Sequence, residues 1–228
     1  MSRRLTNKSQ TQTNFQQFNG GKSHLKSGNP DANNIVWHPG LTSEAMRQQL
    51  MGQRPVTLWL TGLSGSGKST IAFHLEQKLL ERGHPCYVLD GDNLRHHLNS
   101  DLGFSPLDRR ENIRRAAEVA SLFNQAGLIV ITSFISPYQS DRAMAQQIIG
   151  AQRFIEVHIN TPVEVCEQRD CKGLYARARR GEIPEFTGVS APYEQPQNPA
   201  LEINTAQLSC VEATEHLYKH LMGLCFDQ

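Results

Sequence analysis

Gly62, Gly67, Lys68 and Ser69 stand at the spacing G-x-x-x-x-G-K-[ST], inside the run VTLWLTGLSGSGKST at 56–70. The chemistry served by that spacing is the cradling of phosphates. Glycines let a tight loop turn its backbone N–H groups inward around phosphate oxygens; Lys68 reaches the β- and γ-phosphates, and the Ser69 hydroxyl ligates Mg²⁺. Asp90-Gly91-Asp92-Asn93, with Arg95 one turn on, supplies carboxylates. A carboxylate facing a phosphate loop holds hydrated Mg²⁺ or takes a proton from an attacking hydroxyl, although the same tetrapeptide is also an ordinary turn sequence. Phe104 beside Arg109, Arg110 and Asn112 suits stacking and anion binding, or equally a core ring among solvated arginines. Ser136 offers a hydroxyl after a third apolar run. With no partner base nearby in sequence, substrate contact is favoured over nucleophilic attack. Arg169, Lys172, Arg177, Arg179 and Arg180 crowd into RDCKGLYARARRG at 169–181, which reads as a mobile basic lid or as a solvated loop.

The intervening pattern must bring these groups together. Val56–Leu60 is a β-rich run; Ile71, Leu75, Leu79 and Leu80 then recur at helical spacing until Gly83. A second strand is predicted over Cys86–Leu89, ending at Asp90. Ser105 and Pro106 open a long helix with Ile113, Ala116, Ala117, Ala120 and Phe123 as its buried stripe and Gly127 at its end. Strands follow over Leu128–Thr132, Phe154–Ile159 and Leu201–Asn204. Helices are expected over Asp141–Ile149, Pro162–Arg169 and Val211–Leu224, and a short one after Thr42 or Ser43. Residues 170–200 show no periodicity. Strand–helix alternation predicts an α/β fold, with helices on both faces of a parallel sheet and ligands at the carboxyl ends of its strands.

The chain has 228 residues and a net charge of +1, which suits one domain and argues against a general nucleic-acid or membrane surface. No apolar run is long enough to span a bilayer, and no secretory signal is read near the start. Residues 1–33 are polar and acid-poor up to Asp31, and are expected to form a disordered arm before a domain over 34–228. Such a basic, Ser-rich arm also suits an organelle transit peptide, but it has no amphipathic face. Five cysteines without C-x-x-C, and nine histidines without helical metal spacing, suggest neither a disulfide framework nor a zinc site; a reducing cytoplasm is expected.

Together these blocks resemble the adenylylsulfate (APS) kinase family. The matching stretches are GLSGSGKST at 62–70, LDGDNLRHHLNSDLGFSPLDRRENIRR at 89–115, EVASLFNQAGLIVITSFISPY at 118–138, FIEVHINTPVEVCEQRDCKGLYARARRGEIPEFTG at 154–188 and PYEQP at 192–196. The resemblance implies a P-loop NTPase-type three-layer αβα sandwich with a mainly parallel sheet and a basic lid. The implied activity is phosphorylation of the 3′-hydroxyl of adenosine 5′-phosphosulfate by MgATP, in sulfate assimilation. It also implies ATP binding by Gly62, Leu63, Ser64, Gly65, Ser66, Gly67, Lys68, Ser69, Thr70 and Arg169, with Mg²⁺ held through ATP at Ser69. Asp92 and Lys68 carry the catalysis, and the family labels Ser136 a phosphoserine intermediate. The acceptor falls to Asp92, Arg95, Phe104, Arg109, Asn112, Ile135, Ser136, Lys172 and Phe186, with Phe104 and Phe186 sandwiching its adenine. A homodimer and a functional link to a separate ATP sulfurylase are further implications. Cys171 stands where the family has proline, which loosens the lid and leaves an accessible thiol; Gln139 stands where it has a basic residue. Another phosphate-loop kinase would not explain DGDNLR, FISPY and DCKGLY together. A GTPase lacks its guanine-reading motif here, and intact Lys68, Ser69 and Asp92 oppose an inactive module.

Overall fold

The structure is a computed structural model that describes residues 35–225; the predicted N-terminal arm lies outside them. Residues 35–40 carry no helix or strand, and a separate compact unit begins at Leu41. That unit opens with α1 (Glu44–Met51), whose first turn is capped by the Ser43 hydroxyl accepting from Met46 N. Next come β1 (Thr57–Thr61), α2 (Lys68–Glu81), β2 (Cys86–Asp90), α3 (Gly91–His96), α4 (Pro106–Gln125) and β3 (Ile129–Ser133). The chain continues as α5 (Gln139–Ile149), β4 (Phe154–Ile159), α6 (Val163–Arg169), α7 (Leu174–Arg179), β5 (Leu201–Ile203) and α8 (Cys210–Cys225).

The five strands form one parallel sheet in the order β2-β3-β1-β4-β5. β1 is central and buried at every position, which is why its sequence reads as a continuous apolar run rather than an alternation. Its side chains still part to two sides. Leu58 and Leu60 join Ile71, Leu75 and Leu79 of α2 and Leu217 and Leu221 of α8, whereas Trp59 joins Ile113, Ala116 and Ala120 of α4. The result is the expected three layers. Trp59, in the middle of β1, stacks on Phe134 just after β3 at 5.3 Å and meets Phe154 at the start of β4 at 5.6 Å, so its indole ties β1 to both neighbouring strands.

Two details of the pattern fall differently. Leu80 is 53% exposed although it follows the buried Leu79, because the helix turns it away from the sheet. On α4, Phe123 is only half-buried, against Tyr87, and the buried position is Asn124. Asn124 is admitted because each of its polar atoms is used: Oδ1 accepts from Thr57 Oγ1 at 2.8 Å, and Nδ2 donates to the Val56 and Leu128 carbonyls.

Candidate active site

The phosphate loop joins β1 to α2. Gly62 has φ 155°, and a Cβ there would lie 2.6 Å from the Ile159 carbonyl oxygen, so only glycine lets β1 turn so close to β4. Gly65 is similar, at φ 75° with Cys166 O 2.9 Å from any added Cβ. Gly67 caps α2 without a side-chain bond, which leaves the first N–H groups of that helix aimed outward for an anion. Lys68 is 7% exposed and its ammonium folds back on the loop, donating to Leu63 O at 2.6 Å. Burial pulls its pKa down to about 8, against the raising fields of Cys166, Asp90 and Asp92. Ser66 is buried and its carbonyl accepts from Thr205 Oγ1; Thr70 lies exposed in the first turn of α2.

Asp90 and Asp92 do different work. The Asp90 carboxylate caps α3, accepting from the backbone N–H groups of Asp92 and Asn93, and it also accepts from Ser69 Oγ at 2.7 Å. Ser133 Oγ is 3.0 Å from Ser69 Oγ, so three oxygen donors converge at the strand ends beside the phosphate loop. Asp92 is exposed and ion-paired with Lys172 of the lid; that contact pushes the lysine pKa up. The sequence-predicted lid residue and the sequence-predicted acid–base residue thus meet.

Arg95 lies over Phe104 at 4.5 Å and donates to the Leu102 and Gly103 carbonyls; Arg109 lies 5.8 Å from the same ring and donates to Phe104 O. Burial lowers both guanidinium pKa values. Phe104 is 63% exposed, which leaves ring surface for a base. Asn112 is buried and accepts from Asn99. Phe186 is 7% exposed and packs edge-on against Tyr175 at 5.0 Å. Ser136 is 3% exposed at φ 38°, a left-handed conformation rare outside glycine, and its Oγ accepts from Trp59 Nε1. Arg169 spends its guanidinium on Thr205 O and Oγ1 and on Gly65 O.

A single cavity of about 990 Å³ is walled by the phosphate loop, both aspartates, the Phe104 and Phe186 rings, Ile135 and Ser136, and the lid. Sequence reading did not find Thr205, Leu208, Thr187 or Tyr175, which also line it. Thr205 follows β5, and its place after a strand end was the available signal. Tyr175 sits on α7, in the stretch without visible periodicity. There Asp170 accepts from the backbone N–H groups of Tyr175 and Ala176, and Tyr175 Oη donates to Ser64 O. Cys171 is exposed as expected, and Gln139 uses its side-chain amide on Gln195 O.

The adenylylsulphate kinase family model matches residues 54–204. The chain belongs to the adenylylsulphate kinase family. It is 53% identical to a probable adenylyl-sulfate kinase of Halalkalibacterium halodurans, over 85% of this chain and 96% of that one. Its identity with an adenylyl-sulfate kinase of an Enterobacter species is 55%, over 77% and 87% of the two chains. Among solved structures, the Mycobacterium tuberculosis APS kinase in complex with AMPPNP and APS matches with a TM-score of 0.71 at 50% identity, covering 74% of this chain and 98% of that one. The matched span takes in the phosphate loop, the residues from Asp90 to Asn112, Ser136 and the basic segment at 169–181. No helix among the described residues is long and apolar enough to cross a membrane.

Proposed function

We propose that the chain transfers the γ-phosphoryl group of ATP to the 3′-hydroxyl of adenosine 5′-phosphosulfate, giving 3′-phosphoadenylyl sulfate and ADP. The observation that carries it is one cavity walled by both a phosphate loop and the stacking and cationic residues suited to a second nucleotide. The kinase domain is taken as residues 34–228. Gly62–Thr70 and Arg169 hold ATP. Arg95, Arg109 and Asn112 hold the phosphosulfate and its nucleoside and Lys172 also contacts the acceptor, with Ile135 and Ser136 lining its site and Phe104 and Phe186 sandwiching its adenine.

In the transfer, the acceptor 3′-oxygen bonds to the γ-phosphorus as the bond to the β–γ bridging oxygen breaks, and the hydroxyl proton passes to the Asp92 carboxylate. Lys68 stabilises the charge that gathers on the phosphoryl oxygens. Lys172 must leave Asp92 before that carboxylate takes a proton, so lid movement and acid–base readiness are tied together. The Ser69 and Ser133 hydroxyls with the Asp90 carboxylate are hard oxygen donors and fit Mg²⁺. No group of three or more metal-binding His, Cys, Asp or Glu occurs among the described residues, which suits an ion held largely through phosphates. Bound there, Mg²⁺ would neutralise phosphate charge. A cytoplasmic enzyme accords with the free thiols among the described residues; a homodimer and a separate sulfurylase supplying the acceptor are taken from the family resemblance.

The deciding test is ATP-dependent ADP release with adenosine 5′-phosphosulfate, with AMP and without acceptor. Turnover confined to the phosphosulfate is expected, and equal turnover with AMP overturns the assignment. A second expectation concerns Ser136. Its hydroxyl is buried, accepts from Trp59 and has no base among its hydrogen-bond partners, so Ser136→Ala retains measurable transfer; abolished transfer together with a trapped phosphoserine in the wild type establishes the covalent route. A third follows from Lys68. Its ammonium is present in the free enzyme below pH 8 and lost above it, whereas bound phosphates raise its pKa. Affinity for ATP is therefore expected to be level below about pH 8 and to fall by up to about tenfold per pH unit above it. Titrations from pH 7 to 10 check this; an unchanged Kd at pH 9.5 contradicts it.

A further inference from the structure

Arg142 of α5 is 3% exposed, although arginine is among the residues least often buried. Its three nitrogens are all engaged. Nε donates to Glu156 Oε1, Nη1 to the Ser136 carbonyl and Nη2 to the Glu194 carbonyl, each at 2.7 Å. These partners come from β4, from the turn after β3 and from the segment that follows the lid.

The same turn is gripped from a second side. Thr61, the last residue of β1 before the phosphate loop, donates its hydroxyl to Ile135 O at 2.7 Å. Tyr193 Oη is 3.0 Å from that hydroxyl, and the Tyr193 ring lies 6.0 Å from the Arg142 guanidinium. Glu194 N donates to Pro137 O, and the Glu194 carboxylate accepts from Gln139 N. A non-glycine residue at φ 38° persists only where its surroundings over-determine it. Stability alone gives little reason to bury the Arg142 guanidinium against the part-exposed Glu156, because apolar residues of similar volume often do as well. What the pair adds is direction: it aims the Ile135–Ser136 backbone into the cavity at a set height above Thr61 and the phosphate loop.

We infer that Arg142 is a positioning residue for the acceptor: with Glu156, Thr61 and Tyr193 it fixes the Ile135–Ser136 turn relative to the phosphate loop. The inference rests on the phosphosulfate kinase assignment for its kinetic readout only. A misplacement on the order of 1 Å between reacting groups costs about a hundredfold in rate, so small losses of this grip are visible.

The test compares wild type, Arg142→Lys and Tyr193→Phe. Steady-state constants are measured for the acceptor and for ATP, and deuterium uptake is followed in peptides spanning 133–141. Arg142→Lys keeps the charge and loses the three-way fork. It is expected to lower kcat/KM for the acceptor at least about tenfold while the KM for ATP stays within about twofold, and to speed exchange in the 133–141 peptides. Tyr193→Phe removes one hydroxyl and is expected to move the same constants in the same direction by less. It decides alone if the lysine variant does not fold. Acceptor constants within twofold of wild type in a folded variant overturn the inference. So does a KM for ATP that rises as much as the KM for the acceptor, the mark of a merely structural residue. If the wild type does not turn over adenosine 5′-phosphosulfate, it is the functional assignment that fails. Exchange then decides this inference, with unchanged uptake overturning it.

Discussion

Replacing Asp92 with asparagine is expected to cut turnover by about a hundredfold or more and to leave nucleotide binding near its original strength. The side chain keeps its size and loses its ability to take a proton. The fold has little stake in it: α3 is capped by Asp90, while the Asp92 carboxylate is exposed and, among the described residues, its side-chain ion pair is with Lys172. That pair is on the surface and worth at most about 1 kcal/mol, roughly a factor of five, too little to account for a hundredfold change. Single-turnover rates beside a nucleotide titration separate the two effects. Turnover within about threefold of wild type removes Asp92 from the acid–base role.

Lys68→Met is expected to be at least as severe, with turnover down by about 10²–10³, the cost of removing one preorganised charge from the transferring group. Methionine preserves the buried stem, so packing against the loop survives. The two variants differ in a way that tests the assignment. Without Lys68, ATP affinity also falls, and its dependence on pH above 8 disappears, because the group that titrates is gone. Asp92→Asn keeps that dependence. A Lys68→Met enzyme that still binds ATP more weakly at pH 9.5 than at pH 7 shows that another group carries the titration.

Much of this was visible in the chain. The phosphate loop needs a fixed set of residue types at a fixed spacing, and central parallel strands are continuous apolar runs, so both show in a short window. Long α4 shows too, because Ser105 and Pro106 mark its start and its alanines repeat along one face. Two of the short helices did not show. α3 and α7 have six residues each, less than two turns, so neither carries a readable period. Each begins where aspartates accept from nearby backbone N–H groups, at Asp90 and at Asp170, and the same residue types equally suit turns. Asn124 was missed because its three partners lie at the start of β1, in the residue before it, and in the turn after its own helix. The Arg142 grip is further out of reach. Its partner Glu194 is 52 residues away, and Thr61 and Tyr193 are separated by 132.

Leu63 belongs to the phosphate loop and also packs against the small apolar cluster of Cys166, Tyr175, Ala178 and Phe186, two of which the lid itself supplies. Tyr175 adds a hydrogen bond to the carbonyl of Ser64, the next residue in that loop. Donor site and lid therefore share one miniature core. Whatever free energy ATP spends in settling the loop is felt by the segment carrying Lys172 and Phe186, and coupling of this kind is reciprocal by thermodynamic necessity. Any factor by which ATP changed the affinity for the acceptor would equal the factor by which the acceptor changed the affinity for ATP. On the proposed function, Leu63 is the side chain through which donor and acceptor binding would be coupled within this chain.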